Sequence, residues 1–500
     1  MKQFARLSLA VAVLLALAGL ASAQSWTTLT NQPRDANGGP IATGPMLQLR
    51  DGRILVNESQ GPDPGFWVIL TPDATGSYVN GTWSVTGHLP SGYAPVYYGS
   101  QVLINGRQVV IEGGEYNNGT AVWTTLGALG TITPWGNVSW VMNSPPVGWG
   151  TIGDAESIVL ANGKYMQSNC CSPQNAIFQG PNSWLATGSV SQSSNDESGF
   201  TLLSNDKVLT VDAKNSPCGN SINGGAELYN QGTGTWSCTG QTPVQLYNPA
   251  DEELGSAVLM YNNKVFQSGG NVVATAIYDV ASGTWTAGPT PPGGLDQADG
   301  PGALEPNGKV LVDYSPGLFQ GGCQFLEYDP TSNTLSTTVN NGGCPSGSSF
   351  YGHLMILPSG QIMFTDFGNS AVSVYNPAAG VVAAAKPTIL AASTNLRIGS
   401  ANNLLYGNQL NGLSQNNAYG DDYQGETNYP LVRLTCAGGG NCTVGNVYYA
   451  FTHDDSTHSI APNTIMYTHF DLPSTIPAGK YSLQSVANGI GSNVIVVSVH

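Results

Sequence analysis

The 500-residue sequence predicts an all-β protein, a seven-bladed β-propeller followed by an immunoglobulin-like β-sandwich. Three observations predict this fold. A hairpin unit occurs seven times, no helix-period segment follows the first two dozen residues, and the last part of the chain alternates in the manner of strands. Because 41% of the residues are hydrophobic, the chain can bury a large core although only 9% are charged.

The repeated unit is an apolar strand, a tight turn of the Asn/Asp-Gly type and a second strand rich in β-formers. Asn-Gly and Asp-Gly favour type I′ hairpins. Successive turns are 54, 57, 43, 57, 45 and 52 residues apart, close to the period of about 50 of a kelch-type blade. The turns begin at Asp51, Asn105, Asn162, Asn205, Asn262, Asn307 and Ser359.

Aromatic pairs mark the outer strands of the blades. Tyr229 with Trp236 and Tyr278 with Trp285 share one spacing, and we expect them to pack between blades. The seventh unit has no such tryptophan, whereas the lone segment 26–29 begins with Trp26. We therefore expect this N-terminal strand to complete the last blade and close the ring.

Both ends of the chain carry further signals. Lys2 and Arg6, an apolar stretch over 7–20 and Ala21-Ser22-Ala23 are typical of a secretory signal over residues 1–23. A membrane anchor, the alternative, needs a longer apolar run. We expect a secreted or periplasmic mature protein, with the propeller over 24–383 and the sandwich over 386–500.

The eight cysteines favour disulfides in an exported chain, although eight allow 105 connectivities. Closeness in sequence favours three pairs and leaves two adjacent cysteines for a vicinal bridge. The predicted disulfides are Cys323–Cys344, Cys436–Cys442, Cys218–Cys238 and Cys170–Cys171.

Acidic residues exceed basic residues by 16, which excludes binding to nucleic-acid backbones. Acids recur before or within the first strand of four consecutive blades, where they form either a solvated rim or an acidic mouth at the propeller axis. We also counted six residues back from the apolar residue that precedes each hairpin turn, to find equivalent positions in the blades. In two blades this position is a tyrosine, Tyr97 or Tyr351. The predicted ligand-binding residues are Asp154, Glu156, Glu197, Glu253, Asp299, Tyr97 and Tyr351.

The architecture resembles the galactose oxidase and glyoxal oxidase superfamily. The resemblance is based on the hairpin period, Pro387 at the start of the second domain and the segment 477–481, Pro-Ala-Gly-Lys-Tyr. The stretches 407–415, 419–422 and 452–454 are similar to uncharacterised secreted bacterial proteins with kelch repeats.

This resemblance implies a copper site made of two tyrosines and two histidines, with one tyrosine cross-linked to a cysteine. The candidates are Tyr97, Tyr351, His353 and His453, with His353 and His453 as the metal-binding histidines. In the family the histidine directly follows the tyrosine, whereas here Gly352 lies between Tyr351 and His353. The first strands of the blades contain no cysteine. His453 and His458 beside Asp454 and Asp455 form either a metal site or a solvated turn.

The sequence predicts a non-redox binding protein that takes a carbohydrate or cationic small molecule in the acidic mouth, with Ca²⁺ as the candidate cofactor. The first alternative is a copper-dependent oxidase, and the second is a structural cell-surface protein. Hydrolase and nucleotide-binding motifs are absent from the sequence. We expect a monomer.

Overall fold

The computed structural model describes residues 24–59, 63–214, 217–220, 223–340, 347–423 and 425–500. The predicted signal peptide and Cys344 lie outside the described residues. Strands account for most of the regular structure, and the short 3-10 turns include Pro292–Gly294, Ser349–Tyr351 and Ala383–Ala385.

Seven antiparallel sheets form the blades of the predicted propeller. The N-terminal strand is β1 (Ser25–Thr28). Blade 1 contains β2 (Thr43–Gln48), β3 (Ile54–Glu58), β4 (Trp67–Thr71) and β5 (Thr82–Val85). Blade 2 contains β7 (Gly99–Val102), β8 (Gln108–Glu112), β11 (Gly127–Ile132) and β12 (Val138–Asn143), beside a small sheet of β6 (Pro95–Val96), β9 (Tyr116–Asn117) and β10 (Thr120–Ala121).

The next three blades follow the same order of four strands. Blade 3 contains β13 (Ser157–Val159), β14 (Tyr165–Ser168), β15 (Asn175–Gly180) and β16 (Ser183–Ala186). Blade 4 contains β17 (Thr201–Leu202), β18 (Lys207–Val211), β19 (Gly225–Asn230) and β20 (Thr235–Gln241). Blade 5 contains β21 (Leu254–Leu259), β22 (Lys264–Gly269), β23 (Thr275–Asp279) and β24 (Thr284–Ala287).

The last two blades each recruit a strand from a distant part of the chain. Blade 6 contains β25 (Gly302–Leu304), β26 (Val310–Tyr314), β27 (Gln324–Asp329) and β28 (Thr334–Thr337), and β35 (Asn417–Ala418) pairs with β25. Blade 7 contains β29 (Gly352–Ile356), β30 (Ile362–Asp366) and β31 (Asn369–Asn376). Its fourth strand is β1, which pairs with β31 and confirms the predicted closure of the ring.

The seven hairpin turns lie where the sequence predicts them, but they are not type I′ turns. In blade 1 the Gly52 N–H donates to the carbonyl of Leu49 at 3.0 Å, and only Gly52 has a positive φ, of 77°. This is a type I turn followed by one left-handed residue. In blade 2 the Asn105 side chain accepts the N–H of Arg107 at 3.0 Å, which explains the Asn or Asp at this position.

The C-terminal strands form two halves around one core that contains Leu405, Phe470, Leu434 and Leu483. Strand β37 joins the halves, because it pairs with both β36 and β38. We describe this part as a sandwich, and its immunoglobulin-like character and boundary at 386 stay predictions. The strands are β32 (Thr388–Ala392), β33 (Asn395–Leu396), β34 (Asn403–Asn408), β36 (Leu431–Gly438), β37 (Val447–His453), β38 (Ile465–Asp471), β39 (Gly479–Ala487), β40 (Ile490–Gly491) and β41 (Ile495–Val499).

One loop of the sandwich, described over residues 409–423 and 425–429, runs along the propeller axis, and we call it the axial loop. It hydrogen-bonds to the backbone of the first strands of six blades, which shows that these strands face the axis. The bonds join Ser414 to Leu259 (2.6 Å), Gln415 to Leu202 (2.6 Å), Asn416 to Leu304 (2.8 Å), Asn417 to Ile356 (2.9 Å), Glu426 to Val159 (3.2 Å) and Tyr429 to Gln48.

Three predicted disulfides are present, namely Cys170–Cys171, Cys218–Cys238 and Cys436–Cys442. Cys323 is also disulfide-bonded, and its predicted partner Cys344 lies outside the described residues. Disulfides indicate maturation in an oxidising compartment, in agreement with export. Among the described residues, none of the helices has the length and apolar character that crossing a bilayer requires.

Candidate axial binding site

A cavity of about 410 Å³ lies at the end of the propeller where the first strands begin. Its lining side chains are of two kinds, carboxylates and aromatic rings, and Lys, Arg and His are absent among them. The lining residues are Tyr97, Glu115, Tyr116, Asp154, Glu197, Glu253, Asp299, Phe319, Phe350, Tyr351 and Asp421.

A left-handed backbone turn precedes the first strands and carries several of these side chains. Tyr97, Glu197 and Asp299 have φ values of 54°, 58° and 50°, and Gly153 precedes Asp154 with a φ of 68°. A non-glycine residue in this region is strained by roughly 1 kcal/mol or more. These strained residues all lie at one opening of the propeller axis. Strained backbone conformations cluster at ligand-binding and active sites, so this opening is a candidate functional site.

Carboxylates from different blades and from the axial loop approach one another closely at the floor of the cavity. One oxygen each of Glu197, Glu253 and Asp299 lie within 4.8 Å of one another, and the same holds for Asp154, Glu197 and Asp421. We call these five residues the carboxylate cluster. Three or four oxygen donors at such separations are the ligand type that hard cations prefer.

Three oxygens of the cluster have no hydrogen-bond partner among the described residues. They are Oδ1 of Asp154, Oε2 of Glu253 and Oδ1 of Asp299. Asp154 is 8% exposed and Glu253 is 7% exposed. An unpaired buried carboxylate is costly. Lys214 pairs with Asp196 at 3.1 Å and with Glu252, and it is not among the residues that line the cavity.

Burial and mutual repulsion raise the pKa values of the carboxylates. Burial, reinforced by Asp196, raises the pKa of Asp299 to about 6. Burial and the charges of Asp299 and Asp196 raise the pKa of Glu115 to about 7. The pKa values of Asp154 and Asp421 lie well above the ordinary range for the same two reasons, burial first. A positive charge in the cavity would relieve this repulsion.

A row of aromatic rings also contributes to the lining of the cavity. Consecutive ring centroids are 6.2, 6.3, 4.5, 4.4 and 5.0 Å apart. We call this row the aromatic arc; in order along it, the residues are Tyr116, Tyr97, Phe367, Tyr351, Phe350 and Phe319. All of them except Phe367 line the cavity, which therefore combines carboxylates with aromatic rings.

Three residues of the predicted site, Glu156, His353 and His453, do not line the cavity. Glu156 lies two residues beyond Asp154 along the chain, and it is fully buried beneath the cavity. His353 is 2% exposed, stacks on Tyr419 of the axial loop at 5.1 Å, and its pKa falls to about 3 because of burial. Six predicted residues do line the cavity, and their role in binding stays a prediction.

The structure corrects the position of His453. His453 lies against the hairpin turn of blade 2, where a Cβ on Gly106 would approach its Cα to 3.3 Å. Tyr97 lies at the other end of this first strand, and six residues of strand span roughly 20 Å. His453 bonds instead to Asp454 at 2.8 Å and Asp471 at 3.0 Å. It therefore does not join Tyr97 and Tyr351.

The loop that reaches the axial mouth is the axial loop, which contains no histidine. His453 was a candidate because the family resemblance implies that a loop of the second domain supplies one metal-binding histidine. The signal for the true loop is its composition, a polar run of Asn, Gln and Ser that ends in Asp421-Asp422. Glu115, Tyr116, Phe319 and Phe350 were also missed, because they lie outside the repeated hairpins.

Comparisons with known proteins show the fold. No protein-family model and no curated protein matches the chain. It is similar to a solved structure of a fungal alcohol oxidase of the AA5 family in complex with copper, with a TM-score of 0.52 and 14% identity over 96% of this chain and 100% of that one. A structure of virginiamycin B lyase from Staphylococcus aureus matches 71% of this chain and 99% of its own at 9% identity and a TM-score of 0.45. At such identities the likeness concerns the fold alone.

The donors of the axial cavity do not fit the copper site that the family resemblance implies. That site needs two imidazoles, yet none of the lining residues is a histidine. The candidate His353 stacks behind Tyr419, and His453 lies at the far end of blade 2. The first strands contain no cysteine for a thioether to Tyr97 or Tyr351. Carboxylate and phenol oxygens favour hard cations over copper.

Proposed function

We propose that the protein is an exported, non-redox binding protein that holds a cationic ligand in the axial cavity. The observation that carries the proposal is the carboxylate cluster, whose buried oxygens have no basic residue beside them in the cavity. The cavity of about 410 Å³ is concave and lies where the first strands of the blades begin, and small-molecule sites are generally concave and preformed.

A neutral carbohydrate fits this site less well than a cation. Sugar hydroxyls donate hydrogen bonds to carboxylates, but they leave the repulsion between five close acids uncompensated. A cation both pairs with the oxygens and removes the repulsion. Because a ligand that binds only the folded state stabilises it, a rise in melting temperature reports binding.

A copper-dependent oxidase is the second candidate, and one observation favours it. The fungal alcohol oxidase with copper shares this fold over 96% of the chain. Three tyrosines, Tyr97, Tyr351 and Tyr419, also lie in or beside the cavity. The absence of histidine among the lining residues weighs against this candidate.

The proposal is tested by thermal unfolding in CaCl₂ at pH 8, with Ca²⁺ as the simplest hard cation. We expect millimolar Ca²⁺ to raise the melting temperature of the wild-type protein. In the triple variant Asp154→Asn, Glu197→Gln, Asp299→Asn the shift should disappear, because three donors of the cluster lose their charge. Asp279→Asn, which changes an acid paired with Lys264 on the surface, is the matched control.

If neither Ca²⁺ nor any organic cation changes the melt of the wild-type protein, the carboxylates are ordinary rim residues and the proposed function is wrong. An equal shift in the triple variant has the same meaning, since it places the cation elsewhere on this acidic chain.

A further inference from the structure

We infer that the axial cavity binds a linear organic diamine, with one ammonium group on the carboxylate cluster, the methylene chain along the aromatic arc and the second ammonium group at Glu115. This inference rests on the proposed function and names its ligand class. It is carried by the presence of carboxylates and a row of aromatic rings in the lining of one cavity.

The aromatic arc argues for an organic cation rather than a bare metal ion. A metal ion on the carboxylate cluster would fill a small part of a cavity of about 410 Å³ and would leave the aromatic rings without a role. Phe319 is 52% exposed at the cavity, although a large apolar side chain normally packs inside. Methylene groups and ammonium ions both pack favourably on aromatic faces.

Glu115 supplies a second, separate partner for positive charge. It belongs to neither of the close carboxylate groups that form the cluster, although the charge of Asp299 acts on it. It lines the same cavity, and the next residue, Tyr116, is the first ring of the aromatic arc. The cavity therefore offers a carboxylate outside the cluster at one end of the aromatic arc.

The shape of the site also distinguishes a diamine from a bulky cation. The arc offers ring edges and faces in a row, with neighbouring rings 4.4 to 6.3 Å apart, which suits an extended chain. The unpartnered oxygens of Asp154 and Glu253 can each accept a hydrogen bond from one primary ammonium, which has three donors. Quaternary ammonium groups lack these donors.

The test compares four probes by isothermal titration at pH 8 and low salt. They are 1,5-diaminopentane, pentylamine, 1,5-pentanediol and CaCl₂. We expect 1,5-diaminopentane to bind roughly tenfold more tightly than pentylamine, because the second ammonium gains one charge-assisted hydrogen bond. The uncharged diol should not bind measurably.

Single variants assign each part of the ligand to the residues that bind it. Glu115→Gln should reduce diaminopentane affinity to that of pentylamine and leave pentylamine unchanged. Phe319→Leu should weaken both amines roughly threefold and leave Ca²⁺ unchanged, because it removes only an aromatic face. Tyr467→Leu, at a 43% exposed ring of the sandwich, is the matched control for the aromatic change.

The outcomes separate the inference from the proposed function. Binding of Ca²⁺ without binding of either amine would overturn the inference and leave the cation site intact. Equal affinities for pentylamine and diaminopentane would overturn the role of Glu115 and with it the diamine. If no cation binds, both proposals are wrong. Melting curves of each variant show whether a loss of binding is a loss of folding.

Discussion

At the scale of single residues, the carboxylates of the axial cavity make the stability of the free protein depend on pH. The pKa of Asp299 is raised to about 6, whereas an unfolded aspartate titrates near 4. The folded state therefore holds a proton that the unfolded state releases, and the free energy of unfolding falls as pH rises from about 4 to 7. We expect a loss of about 3 kcal/mol for this group, measured by urea unfolding without added cations.

Two comparisons check this pH dependence. Asp299→Asn should flatten the decline, because the titrating group is gone, and a bound cation should oppose the decline, because it favours the ionised carboxylates. A free protein that becomes more stable between pH 5 and 8 would contradict the raised pKa values and the repulsion that causes them.

A second residue-scale prediction concerns the ion pair of Arg50 and Asp455, which is wholly buried between the propeller and the sandwich. The guanidinium also lies 4.0 Å from the ring centre of Tyr429 in the axial loop. Asp455→Ala leaves a buried charge unpaired, so we expect a loss of about 3–5 kcal/mol in urea unfolding. Lys264→Ala, which breaks a surface pair at 3.5 Å, should cost less than about 1 kcal/mol. Similar losses in the two variants would show that Arg50 has found water or another partner.

At the scale of elements, the blades could be predicted from the repeat, whereas the axial loop, which lies outside the repeat, could not. A hairpin has a local signal, an Asn or Asp followed by a residue that accepts a positive φ, as at Asn105 and Gly106. The turn type was wrong because Asn105 acts through its side chain and keeps a negative φ. The axial loop has no such periodicity, since Asn416 and Asn417 bond to strands more than 60 residues away.

The strand that closes the ring gives the element-scale prediction. Trp26 packs on Phe325 with ring centroids 4.5 Å apart, and Leu29 is buried in the core of blades 1 and 7. Deletion of residues 24–30 removes both side chains and exposes the edge of β31. We expect the melting temperature to fall by roughly 5–10 °C and aggregation to increase. Thr28→Ala, at an exposed position of the same strand, should melt like the wild type. A deletion variant with an unchanged melt would show that β31 needs no partner.

At the scale of the whole molecule, the fold does not determine the chemistry of the site. The chain shares its propeller and following domain with a copper alcohol oxidase, and the sequence predicted that architecture from the hairpin period. The ligand set could not be predicted in this way, because it depends on which loop reaches the axis and which side chains its tip carries. Asp421 of the axial loop lines the cavity, whereas His353 does not line it and stacks on Tyr419 of the same loop. A fold therefore places the site without deciding what it binds.

The last prediction follows from this separation. Protein incubated aerobically with Cu²⁺ and then freed of excess metal should release no hydrogen peroxide from galactose, glyoxal or primary alcohols. The physical reason is that the cavity offers oxygen donors, whereas a redox-active copper of this family needs imidazoles, and no first strand supplies a cysteine to modify Tyr97 or Tyr351. A peroxidase-coupled assay measures the peroxide, elemental analysis of the same sample measures copper per chain, and a copper alcohol oxidase of known activity is the positive control. Peroxide release with about one copper per chain would contradict the binding function and would show that His353 can leave its stack on Tyr419 to reach a metal.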